Sequence, residues 1–137
     1  MNIILLGYDG TEPSGRALER AGDLAVAFGS TVVVTSISQV MTAGAHGAGS
    51  FDPTDPPEEH RELLGKARAT LAARGVSAEV QLGIGDPAEA IVELAEQRNA
   101  DLIVVGTREP GLLERLFGHS VSASVQRRAH CDVLIVH

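Results

Sequence analysis

Five short apolar runs punctuate the chain: Ile3 to Gly7, Val32 to Ile37, Ala78 to Leu82, Leu102 to Val105 and Val133 to Val136. They read as buried strands. A helical pattern lies between each successive pair. The first follows Thr11-Glu12-Pro13 and sets Ala17, Leu18, Ala21, Leu24, Ala25 and Phe28 on one face, and the second does so with Leu63, Leu64, Ala67 and Leu71. The third has Asp86 as its cap, Pro87 in the first turn, Glu89 placed to bond back, and a core face of Ile91, Leu94 and Ala95. The fourth is short and starts near Ser120. Strict alternation of strand and helix predicts an α/β fold, a parallel, doubly wound sheet with helices on both faces. Ligands of such sheets bind outside the carboxyl ends of the strands, where the strand order reverses.

At 137 residues and 44% hydrophobic, the chain fits one domain spanning 1–137, with a core that needs neither disulfide nor metal. A formal charge of −7, with basic residues scattered apart from Arg127-Arg128, argues against nucleic acid as a partner. The single Cys131 cannot form an internal disulfide, which fits a reducing compartment, and its place before an apolar strand reads as a small buried residue rather than a reactive thiol. Ile3 to Leu6 is too short for a signal peptide's apolar region, and no stretch reaches the ~20 apolar residues of a membrane span. The expected setting is therefore the cytoplasm, with no membrane partner. Ser38 to Pro57, rich in Gly, Ala and Pro and without period, reads as a flexible loop rather than a packed lid.

Ala100 to Ser124, ADLIVVGTREPGLLERLFGHSVSAS, carries the strongest chemical signal. An apolar strand breaks at Gly106, and a loop delivers Gly118, His119 and Ser120 to a helix start. The open N–H groups and dipole of a helix's first turn favour an anion there. An ordinary junction, with Gly for turning and Ser for capping, explains the same residues.

Other motifs fail in context. Gly83-Ile84-Gly85-Asp86-Pro87-Ala88 fits a dinucleotide fingerprint, but no acidic residue ends a following strand about 20 residues on, as a ribose ligand would require. Gly118-His119-Ser120-Val121-Ser122 resembles a nucleophile elbow without its last Gly, and too little chain follows to return Asp132 and His137 over a hydrolase sheet. His46, His60, His119, His130 and His137 show no metal-ligand spacing, and Glu58-Glu59 reads as a solvated helix start. No residue set looks like a nucleophile with its base, so turnover is not expected.

Three stretches together carry a family resemblance. IILLGYDGTEPSGRALERA, GDPAEAIVELAEQRNADLIVVG, and the GT, leucine run, GHS, SVS, RRAHCD and VLIV of the last third resemble the universal stress proteins. The resemblance implies an adenine nucleotide α-hydrolase-like sheet of strand order 3-2-1-4-5. It also implies a cleft between strands one and four, where Tyr8-Asp9-Gly10 faces Gly106-Thr107-Arg108. By the same likeness, ATP would place its adenine by Ile37 and its phosphates on Thr107, Arg108, His119, Ser120, Val121 and Ser122. Asp9 and Gly10 would lie beside the nucleotide, Asp9 through a divalent ion such as Mg. The family's phosphate loop reads Gly, two residues, Gly, nine residues, Gly, then Ser or Thr. From Gly106 that spacing puts Glu109 and His119 where the second and third glycines belong, and Ser120 at the hydroxyl position. The implied protein is a non-enzymatic, nucleotide-responsive regulator that forms a homodimer through Val133 to Val136. Loss of two glycines favours an alternative, a nucleotide-free dimer that acts through its partner surface.

Overall fold

A computed structural model describes residues 1–39, 56–107 and 120–137. Nine elements alternate along them: β1 (Ile3–Gly7), α1 (Glu12–Phe28), β2 (Thr31–Ser38), α2 (Pro57–Ala73), β3 (Ala78–Ile84), α3 (Pro87–Arg98), β4 (Leu102–Gly106), α4 (Val121–Arg128) and β5 (Asp132–Val136). All strand pairs are parallel, and the order is β3-β2-β1-β4-β5. Both the doubly wound sheet and its order match the expectation.

The helix ends follow local chemistry. The Thr11 side chain accepts from the Ser14 N–H, and the Asp86 side chain accepts from the Glu89 N–H, so each satisfies a donor that a first turn leaves open. No return bond from the Glu89 carboxylate closes the expected reciprocal box among the described residues. Helix α1 stops at Gly29, whose φ of 66° is the left-handed cap conformation.

Two layers of core flank the sheet, one on each side of its alternating side chains. Ile4, Leu6, Val32, Val34 and Val104 pack against Leu18 and Ala21 of α1 and Leu64 and Leu71 of α2. Leu5, Val33, Ile103 and Val105 pack against Ile91, Leu94 and Ala95 of α3 and Val125 of α4. Ile4, Leu5 and Leu6 are wholly buried, and each such side chain contributes about 1.5–3 kcal/mol relative to exposure.

The base of β1 is fastened from both sides. Thr31 donates its N–H to the Asn2 carbonyl, and the Asp101 carboxylate accepts from the N–H groups of Asn2 (2.7 Å) and Ile3 (3.0 Å).

Several expectations are corrected. Phe28, the last residue of its helix, is 59% exposed. The third apolar run is exposed rather than buried, with Glu79, Val80 and Gln81 open to solvent on an edge strand, while β5 forms the other edge, as expected, with Val133, Leu134 and Ile135 half-buried. An outermost strand has no neighbour beyond it, so solvent reaches its flank. Cys131 is half-buried for the same reason. Of the expected loop Ser38 to Pro57, Ser38 closes β2 and Pro57 opens α2, while 40–55 lies outside the described residues.

Candidate functional site

After β1 comes α1, packed on one face of the sheet, and after β4 comes α4, packed on the other. The carboxyl ends of these two strands are the reversal point of the sheet, and a cleft of about 470 Å³ opens there. The turn after β1 forms one lip. Gly10 holds a φ of 79°, which favours glycine, and lets the chain fold back so that Asp9 Oδ1 accepts from both the N–H (3.0 Å) and hydroxyl (2.5 Å) of Thr11. Asp9-Gly10 is thus a tight turn before a capped helix, and Asp9 also lines the cleft.

Gly106 forms the opposite lip for a steric reason. A Cβ there would lie 2.5 Å from the backbone of Pro13 and 2.8 Å from the Ser14 N atom. Absence of a side chain lets the end of β4 run directly against the first turn of α1. The next residue contributes less than its place in the sequence suggests. Thr107 spends its N–H on the Val136 carbonyl (2.8 Å), and its hydroxyl faces His137 Nδ1 at 3.3 Å.

The third wall is the start of α4. Ser120 caps it, accepting from the Ala123 N–H at 3.4 Å and lying 2.8 Å from the Ser122 hydroxyl. Helix geometry leaves the N–H groups of Val121 and Ser122 without a partner inside the helix. That is the arrangement able to receive an anion.

Strand β2 forms the floor. Ile37 lines it, and two polar residues before Ile37 lie on opposite faces of the sheet. Ser36 points to α2, where its hydroxyl meets His60 Nδ1 at 2.6 Å, and both residues are buried. Thr35 points to the α3 side and is fully buried, and among the described residues its hydroxyl is the buried side-chain polar atom without a hydrogen-bond partner. Such an unsatisfied group ordinarily costs about 1–3 kcal/mol.

Of the expected site residues, Asp9, Ile37, Gly106, Ser120, Val121 and Ser122 meet at this cleft. Gly10 and Thr107 do not line it: Gly10 shapes the turn after Asp9, and Thr107 bonds to the end of β5. Arg108 and His119 lie outside the described residues, as does Glu109. Sequence reasoning missed Thr35, Ser36 and His60. The signal was there: a Thr-Ser pair interrupts VVVTSIS, the most buried strand of the sheet.

Asp101 and Cys131, whose acidity is displaced, do not line this cleft. Backbone N–H groups of Ile3 and Asn2 hold the Asp101 carboxyl below its ordinary value. Desolvation, followed by the nearby charges of Asp132 and Asp101, pushes the Cys131 thiol up, and that thiol lines a smaller hollow of about 250 Å³ between α3 and the start of β5. A thiol that gives up its proton less readily fits the expectation of an unreactive cysteine. Among the described residues, no His, Cys, Asp and Glu side chains cluster as a metal site, and no helix is long and apolar enough to cross a membrane.

The sheet order and the cleft at its reversal point define an adenine nucleotide α-hydrolase-like fold. Within that class the chain belongs to the universal stress protein family, whose family model matches residues 1–137. A universal stress protein of Methanocaldococcus jannaschii is 35% identical over 136 residues, covering 97% of this chain and 80% of its own. The universal stress protein YxiE of Bacillus subtilis is 31% identical, with 98% of each chain covered. Among solved structures, a universal stress protein in complex with cAMP superposes with a TM-score of 0.78 at 30% identity, covering 99% of this chain and 97% of that one.

Proposed function

We propose that the cleft binds an adenine nucleotide and that the protein is a nucleotide-responsive stress regulator, acting by binding and interaction rather than turnover. The observation that carries this reading is convergence. Residues distant in sequence, from Asp9 to Ser122, meet at one cleft of about 470 Å³, and a relative with the same fold holds cAMP. In this reading the base lies against Ile37, and the phosphate meets the open N–H groups of Val121 and Ser122 at the positive end of α4. Arg108 and His119 add positive charge from the segment between β4 and α4. A divalent ion such as Mg, which binds few protein carboxylates and keeps the substrate's phosphates as ligands, would enter with ATP and use Asp9.

Titration calorimetry with ATP, AMP and cAMP tests the proposal. Saturable binding is expected, weakened in Asp9→Ala and Ser120→Ala by the ~1–3 kcal/mol of a lost charge-assisted contact. No saturable heat with any of the three would refute it.

A second reading rests on β5, an edge strand whose Val133, Leu134 and Ile135 stay half-buried. Here the protein is a homodimer through Val133 to Val136, and its partner surface rather than its cleft carries function. Glu109→Gly with His119→Gly separates the readings. Under the second, the wild type binds no nucleotide, and the double variant, with the family's glycine spacing restored, gains binding.

A further inference from the structure

The hydroxyl of Thr35 is in the wrong place for a purely structural residue. On β2 it follows Val33 and precedes Ile37 on the face that meets α3. Its register partner on β1 is Gly7, and that of Ile37 on β3 is Gly83. Both glycines are crowded on this side. A Cβ on Gly7 would press on Ile91 Cδ1 and Val105 Cγ1 at 3.2 Å each, and one on Gly83 would collide with Ile37 Cδ1 while standing 3.4 Å from Thr35 Oγ1. The hydroxyl thus lies in a trough flanked by two positions without side chains and walled by Ile37, Ile91 and Val105, none of which can donate or accept a hydrogen bond.

Valine has nearly the shape of threonine and would fill the same space without a buried polar group. The strand already uses valine at three successive positions, Val32 to Val34. A wholly buried hydroxyl without a partner among the described residues, in the floor of the one cleft to which the expected binding residues converge, indicates a partner that arrives with the ligand.

We propose that Thr35 is a specificity-determining residue. Its hydroxyl hydrogen-bonds a polar edge atom of the ring that lies against Ile37, so the cleft prefers a purine carrying that atom over one of the same shape lacking it. The inference rests on the adenine-nucleotide reading and names the part of the ligand that the floor reads. A site built to bond a polar atom rejects the analogue without it, because the protein's own buried group is then left unpaired.

The experiment measures the affinity of wild type, Thr35→Val and Thr35→Ser for AMP and four analogues. These are 1-deaza-, 3-deaza- and 7-deaza-AMP and purine riboside monophosphate, which lacks the 6-amino group. One analogue should bind the wild type about tenfold more weakly than AMP. Thr35→Val should bind that analogue and AMP equally, with AMP weakened about tenfold, and Thr35→Ser should keep the wild-type preference. Free of ligand, Thr35→Val should melt at a higher temperature than the wild type, since it removes an unsatisfied buried group, and that shift also shows that the variant folds. If the wild type binds AMP and Thr35→Val binds it as tightly, or keeps the same preference across the series, the role assigned to Thr35 is wrong and the adenine reading stands. If the wild type binds none of the five, both are wrong.

Discussion

Ser36 Oγ and His60 Nδ1 stand 2.6 Å apart in the wall of the cleft and fasten β2 to α2 through two buried side chains. His60→Ala removes the partner of a hydroxyl that is only 1% exposed and also empties the volume of the ring. Each loss destabilises, so the variant should unfold in urea with a stability lower by about 2–4 kcal/mol. Ser36→Ala deletes only a hydroxyl and should cost less. An unchanged midpoint for His60→Ala would show that the pair does not fasten the two elements.

Glycines separate close approach from mere absence of a side chain. Gly106→Ala drives a Cβ into the backbone of Pro13 and Ser14, neither of which can rotate away, and should destabilise by about 1–3 kcal/mol. Gly65 lies inside α2 with open space around the position of a Cβ. Gly65→Ala should therefore stabilise the protein by about 0.5–1 kcal/mol through helix propensity. Chemical denaturation of both variants checks the opposite signs.

The Asp101 clamp makes stability depend on pH in one direction. Its folded carboxyl titrates below the ordinary 3.8 because it accepts from the Ile3 and Asn2 N–H groups. The unfolded state therefore takes up the proton first. The contribution is complete above that ordinary value and fades as pH falls through the lower folded value. Thermal melts of wild type and Asp101→Asn should differ most near neutrality and converge in acid below it. A constant difference down to acid pH would mean that the carboxylate is not what holds the strand.

Self-association through β5 can be tested without damaging the sheet. Thr107 N–H bonds the Val136 carbonyl, so the backbone groups of Val136 and, by alternation, Leu134 face β4, while those of Val133 and Ile135 face outward. Ile135→Pro removes an outward N–H and should leave the β4–β5 ladder intact while shifting light scattering at micromolar concentration from dimer to monomer. Leu134→Lys is a poorer probe, because Leu134 packs against the α1 side of the core. A wild type that scatters as a monomer would remove the edge from consideration.

The strand order was legible through the family resemblance, whereas helix caps and most of the core were legible because each rests on a local pattern. The Asp86 cap and the alternation of apolar runs are examples. The exposure of β3 was missed although Glu79 and Gln81 alternate with Val80, whereas Val33 lies between two valines and has a strand on either side. Much of the site emerged by resemblance, through Asp9, Gly106 and Ser120 to Ser122. The polar floor emerged only from the folded chain. Thr35 and Ser36 gain meaning from the face each takes and from a histidine 24 residues away from Ser36, and no spacing in a single sequence encodes that meeting.

The double fastening beneath β1 bears on how the molecule can be handled. β1 runs from its anchored base to the cleft lip, and five residues at about 3.3 Å each place roughly 17 Å of sheet between Met1 and the opening. A tether attached at Met1 leaves from the pole opposite the cleft. Immobilised on a sensor chip by that end, the protein would present its cleft to the flowing analyte, whereas random lysine coupling would scatter its orientation.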